Sequence, residues 1–271
     1  MANRSYIYSL SNQPTSYSDR PETITGLSEW AYNIPFLYRL LASADPKLCA
    51  SLVSDTLDDV VVPLHAITSP FDPGFERVRR FAEILKALPP NCARPTPAPK
   101  PAAPTPAPSI MSRLLNLVGR GDSAPAPQPA PPIVPRAWDH VPGWLDETLT
   151  FLEQHRNAYV LLETIELDTM VSSSPEALRN MVEAEIARCR HVGDAFNALP
   201  NDIHEAARVL ESATIERKPA PLDAFFGISL DDTCDSGKKA ATYPLGLQWD
   251  EELYFSLMNR EEFEEHQRSK A

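Results

Sequence analysis

The chain has 271 residues, 43% of them hydrophobic and 23% charged, enough for one large domain or two small ones. Its formal charge of −12 excludes a nucleic acid or an anionic membrane as the default partner, since both demand excess Lys and Arg facing phosphates. No apolar run approaches the ~20 residues of a membrane helix, and Met1–Tyr8 lacks a secretory apolar stretch, so the expected location is the cytosol.

Arg4–Ser11 alternates and is rich in β-formers, which predicts a strand. A loop with Pro14, Pro21 and Gly26 follows, and Ser28 then introduces an aromatic patch of Trp30, Tyr32, Phe36 and Tyr38. Pro35 suits the first turn of a short helix to Leu41, and Asp45-Pro46 repeats that signal for a helix to Val53. Between Pro73 and Leu88, the stripe Phe75, Val78, Ala82 and Leu85 predicts an amphipathic helix.

Composition then breaks. Fifteen of the 47 residues from Pro89 to Pro135 are proline, each lacking an N–H and pushing its predecessor toward extended backbone. Such a stretch reads as a polyproline linker or insertion that buries no core. Inside it, Ile110, Met111, Leu114, Leu115 and Val118 follow helical spacing, with Ser109 to cap and Gly119 to stop. A helix this short needs a groove, on its own domain, on a second copy or on another protein.

Beyond the insertion, Gly143–His155 reads as a helix and Tyr159–Ile165 as a buried strand. Ser173-Ser-Pro-Glu176 starts a helix that runs to Leu199, with Ser173 as the expected cap, and Asp202–Ser212 is another. Leu222–Leu230, Thr242–Gln248 and Leu253–Leu257 look strand-like, and Arg260–Lys270 is a polar helix. The pattern predicts α+β: a small mixed or antiparallel sheet packed with several helices and interrupted by the Pro/Ala-rich insertion. Most of its strands are expected after the insertion. Because a lone strand needs partners, residues 1–88 and 136–271 are expected to form one discontinuous domain around 89–135. Two domains joined by a linker is the alternative.

Charge is unevenly spread. Residues 1–88 sum to −2, 89–135 to +3 and 136–271 to −13. The acidic excess therefore lies after the insertion, where a basic protein would dock.

Local chemistry is sparse. Cys49, Cys92, Cys189 and Cys234 are far apart, and His204-Glu205 is followed at the fourth position by Arg208, so no zinc spacing exists. Gly119-Arg-Gly121 follows no strand, and no G-x-S-x-G occurs, so no cofactor or hydrolase elbow is expected. Among the carboxylate pairs, Glu163 and Glu166 flank Leu162 and Ile165 and are the pair expected to be semi-buried.

Asn3-Arg-Ser-Tyr-Ile-Tyr-Ser9, Ile24-Thr-Gly-Leu-Ser-Glu-Trp30 and the Pro35 aromatic helix together resemble the start of a family of uncharacterised bacterial proteins. Val160–Glu166 resembles that family's middle portion. The resemblance implies a bacterial source and an insertion within one domain; it implies no activity.

The sequence thus points to a non-catalytic binding protein, best read as an immunity protein whose acidic surface neutralises a basic toxin domain. The residues singled out are Asp231, Asp232, Asp235, Asp250, Glu251 and Glu252. An adaptor that hooks a partner with the 109–119 helix, and an enzyme with an unfamiliar site, are the other two classes.

Overall fold

A computed structural model describes residues 3–88, 138–237 and 242–270. Expectations on 89–135, including the helix carrying Ile110, Met111, Leu114, Leu115 and Val118, lie outside the described residues. The architecture is α+β, as the pattern of elements implies.

Five antiparallel strands form one sheet in the order β2-β1-β7-β6-β3. They are β1 (Arg4–Leu10), β2 (Ile24–Ala31), β3 (Lys47–Ala50), β6 (His65–Pro70) and β7 (Tyr159–Glu163), while β4 (Thr56–Leu57) and β5 (Val60–Val61) make a separate small hairpin. The sheet is centred on β7, which pairs with β1 (Tyr8 opposite Leu161) and with β6 (Ser69 opposite Val160). Four of the five sheet strands precede the insertion, which reverses the expectation that most come after it.

Three local readings also change. Ile24–Ala31 is a strand rather than loop and patch, and Gly26 in it leaves room for Leu253, whose Cγ would lie 2.9 Å from a Cβ there. Asp45-Pro46 opens β3, not a helix, because Lys47–Ala50 finds a partner in β6 and pairing overrides the capping signal. Leu222–Leu230 begins as a 3-10 turn (Leu222–Phe225), and of the strand-like tail only the bridge Ile228–Tyr243 forms among the described residues. The apolar residues of that tail coat the body instead of pairing.

The helices are α1 (Phe36–Leu41), α2 (Phe71–Lys86), α3 (Val141–Gln154), α4 (Ile165–Thr169), α5 (Pro175–Asn197), α6 (Ile203–Ile215) and α7 (Arg260–Lys270). Ser174, not Ser173, caps α5 by accepting from Ala177 N, and Asp202 caps α6 by accepting from Glu205 N. One sheet face gives Ile7, Ile67, Val160 and Leu162 to a core shared with α1, α2, α3, α5 and α6. The opposite face shows Tyr6, Tyr8, Leu10, Cys49 and Leu161, packed under Leu253, Phe255 and Leu257. Both faces of the sheet thus meet an apolar layer, which explains how a sheet of short strands closes.

Two polar contacts hold the second face. Glu163 is fully buried and accepts from Leu52 N at 2.7 Å and Ser51 Oγ at 2.9 Å. Burial pushes its carboxyl from the usual 4.5 up to about 7, against those hydrogen bonds and the nearby Arg20 charge. Arg20, itself buried, donates to Leu52 O and lies against the rings of both Tyr17 and Phe263, which ties α7 to the segment after β3.

Gly74 marks a close approach of α2 to the end of α1: a Cβ there would fall 1.9 Å from Leu41 O. Gly74→Ala is expected to lower stability by about 3 kcal/mol, since α2 must back away from α1. A denaturation midpoint unchanged by the substitution would refute that close approach. For Glu163, a raised carboxyl means that its contribution to stability is greatest at low pH and falls as pH climbs from 4.5 toward 7. Glu163→Gln, which can accept from Leu52 N and donate to Ser51 Oγ, should remove this loss, on the order of 3 kcal/mol at pH 8. Parallel stability–pH curves for the two proteins would contradict the assignment.

Candidate functional site: an acidic cleft lined by tryptophan

The segment from Pro244 to Leu253 organises the site. Pro244 O and Leu245 O accept from Phe36 N and Leu37 N, so the segment satisfies the first free N–H groups of α1. Gly246 has φ +88, and a Cβ there would meet Pro35 Cβ at 2.4 Å, so only glycine lets the chain pass. Asp235 clasps the segment from the other side. Its carboxylate accepts from Leu245 N, Gly246 N and Leu247 N at 2.9, 2.8 and 2.7 Å.

Fixed this way, the segment forms one wall of a cleft of about 570 Å³. The second wall is β2, with Ser28 and Glu29, and the third is α3, with Trp144 and Glu147. Ser28 Oγ donates to Gln248 O and accepts from Tyr38 OH, locking wall to wall. Asp250 N donates to Leu27 O at 3.0 Å and ties the segment to β2 again.

Four carboxylates line this space: Glu29, Glu147, Asp250 and Glu252. Glu29 is partly engaged, with Arg4 Nε at 3.0 Å and Tyr254 N at 2.6 Å. Asp250 accepts from Glu252 N at 3.0 Å. The two indoles differ in support. Trp249 packs on Tyr38 at 5.8 Å, and its buried Nε1 has no partner among the described residues, whereas Trp144 stacks on His140 at 5.6 Å. Carboxylates accept from guanidinium or ammonium groups, and indole faces attract the same cations, so the cleft suits a basic side chain.

The six acidic residues singled out from sequence do not form one surface. Asp250, Glu251 and Glu252 are exposed, and Glu251 pairs with His155 Nε2 at 3.3 Å. Asp231 is half-buried and accepts from Ser229 Oγ and Thr233 N. Asp232 and Asp235 are 4% and 1% exposed, so burial corrects the expectation that they present charge to a partner. Burial also raises the Asp235 carboxyl above its ordinary range, partly offset by its three N–H donors.

Glu163 and Glu166 are separated in role. Glu166 accepts from Arg4 N and Tyr6 OH, and neither carboxylate lines the cleft. Sequence reasoning missed Glu29, Trp144, Glu147 and Trp249. Trp249 stood next to the acidic run Asp250-Glu251-Glu252, which was a usable signal; Trp144 and Glu147 carried none beyond α3's polar face. Among the described residues, no group of three or more His, Cys, Asp or Glu side chains could hold a metal ion, and no helix is long and apolar enough to cross a membrane.

Asp235→Asn leaves one carbonyl oxygen for three N–H groups and turns an amide donor toward them. It should cost about 2–3 kcal/mol and shift Trp249 emission to the red as the segment loosens. Native-like emission together with an unchanged unfolding midpoint would show that the clasp is dispensable.

Residues 11–100, about a third of the chain, match a family described as a domain of unknown function (DUF7822). The match runs from the end of β1 through α2 and takes in Ser28 and Glu29 of the cleft, but neither tryptophan. No curated protein and no solved structure matches the chain. Over residues 11–100 the chain is therefore similar to an uncharacterised family, which brings no activity with it.

Proposed function

We propose that this chain is a protein-binding protein whose acidic cleft receives a basic segment of its partner. The observation that carries the reading is convergence: two indoles and four carboxylates, drawn from β2, α3 and the Pro244–Leu253 segment, line one cleft. The regional charge supports it, because residues 136–271 hold 26 acidic against 13 basic residues. An acidic cleft steers and holds a basic loop and repels acidic competitors. The partner that fits is a toxin domain with a basic face, neutralised by this chain acting as its immunity protein in the cytosol.

The test uses the purified full chain and a tetra-arginine peptide, followed by tryptophan emission at two salt concentrations. Binding should weaken as salt rises, and a double Asp250→Asn, Glu252→Gln variant should lose roughly tenfold in affinity. Trp144→Ala should weaken binding further, and because Trp144 also packs against the core its unfolding midpoint should fall modestly, so its affinity is compared at a temperature where both proteins are folded. A tagged chain in its native host should hold one near-stoichiometric basic protein that the double variant releases. Equal binding by native chain and double variant would overturn the cleft as the docking site.

A further inference from the structure

A second concavity, of about 640 Å³, shares no lining residue with the acidic cleft and holds one cation, Arg217, and one carboxylate, Asp223. It is bordered by Asn33 from the β2–α1 turn, Arg217 just after α6, Asp223 in the 3-10 turn, and Phe226, Gly227 and Tyr243. One oxygen of its single carboxylate is engaged, since Asp223 Oδ1 faces His191 Nε2 of α5 at 2.8 Å. Asn33 Oδ1 is engaged as well, accepting from Ile34 N at 2.8 Å, which leaves its Nδ2 to donate. Arg217 forms no ion pair among the described residues; its guanidinium lies 5.1 Å from the Phe226 ring centroid. Asp223 Oδ2 and the Thr242 hydroxyl leave acceptors at the rim, while the Arg217 guanidinium and the Asn33 amide supply donors and the one cation among the lining residues.

The apolar part of the wall is aromatic and open. Phe226 is 39% and Tyr243 54% exposed, and Gly227 separates Phe226 from the next turn. Gly227 has φ +83, and a Cβ there would come within 3.6 Å of the Tyr243 ring, so the ring lies along bare backbone. The backbone holds the pair in place, with Tyr243 N donating to Gly227 O and Ser229 N to Tyr243 O. Exposed rings beside an uncommitted guanidinium form a receptor for a flat group that carries negative charge.

We infer that this cleft binds a small aromatic anion, its charged group on Arg217 and the Asn33 amide and its ring against Phe226 and Tyr243. The site is independent of the acidic cleft, which takes cations.

Phenyl phosphate is the probe, with inorganic phosphate and phenol as its two halves, each titrated into the full chain and followed by amide chemical shifts. Phenyl phosphate should saturate the site, and each half should bind roughly tenfold more weakly or worse. Arg217→Gln and Tyr243→Ala, both at exposed positions, should each weaken it by about tenfold while unfolding midpoints stay put. The Asp250→Asn, Glu252→Gln double variant should leave it unchanged, which separates this site from the first. No saturation by about 10 mM phenyl phosphate, a level where even millimolar affinity shows, would overturn the inference. So would an Arg217→Gln titration that matches the native one, or inorganic phosphate binding as tightly as the aromatic ester.

Discussion

Everything in this fold leans on the pairing of β7. Two ribbons, β1 with β2 and β6 with β3, come from the residues before the insertion, and neither touches the other within the sheet. Tyr159–Glu163 slots between them and supplies both ladders. The strand also delivers Val160 and Leu162 to the helical core and Leu161 and Glu163 to the opposite face. A two-stranded ribbon is marginal alone, whereas five strands with both faces covered are stable. The acidic cleft inherits this order, because its β2 wall is fixed through β1 to β7.

Acidic residues here divide into two physical classes. Asp235 and Glu163 are buried; Asp235 accepts from three backbone N–H groups and Glu163 from Leu52 N and the Ser51 hydroxyl. Such groups work as staples across irregular chain, and the donors that converge on each offset part of the cost of its burial. Glu147, Asp250 and Glu252 remain at the surface and give the cleft its sign. A charge count merges the classes, which is why the acidic excess overstates how much negative surface the fold presents.

What the sequence made legible comes from local physics. The helix at Pro175–Asn197 announces itself through its cap and periodicity and that at Arg260–Lys270 reads as a polar helix, and their bounds are nearly those expected. The strand at Tyr159–Glu163 was readable from apolar density. Lys47–Ala50 was not, since Asp45-Pro46 reads as a helix start until β6 pairs with the four residues after it. Leu245 and Leu247 look like strand residues because alternation signals burial on one side, yet their N–H groups go to a carboxylate instead of a neighbouring strand. The cleft was half visible: the acids at 250–252 stood out, while Trp144 and Glu29 join them only through tertiary contact. Nothing in the local spacing of Asn33, Arg217 and Tyr243 links them.

The strand order also sets a timetable for synthesis. Between the end of β6 and the end of β7 lie 93 residues, from Pro70 to Glu163. At ~5–20 residues per second, a ribosome takes about 5–20 s to cross that interval. Throughout it, β1 and β6 each carry an open edge in the nascent chain, the kind of template that recruits foreign strands. The run from Pro89 to Pro135, synthesised in that interval, lacks an N–H at 15 of its 47 positions. Its length adds little to the eventual closure, because loop entropy grows only logarithmically. An insertion at this point in the chain therefore acts as a delay, because the sheet cannot close until the late central strand has been made.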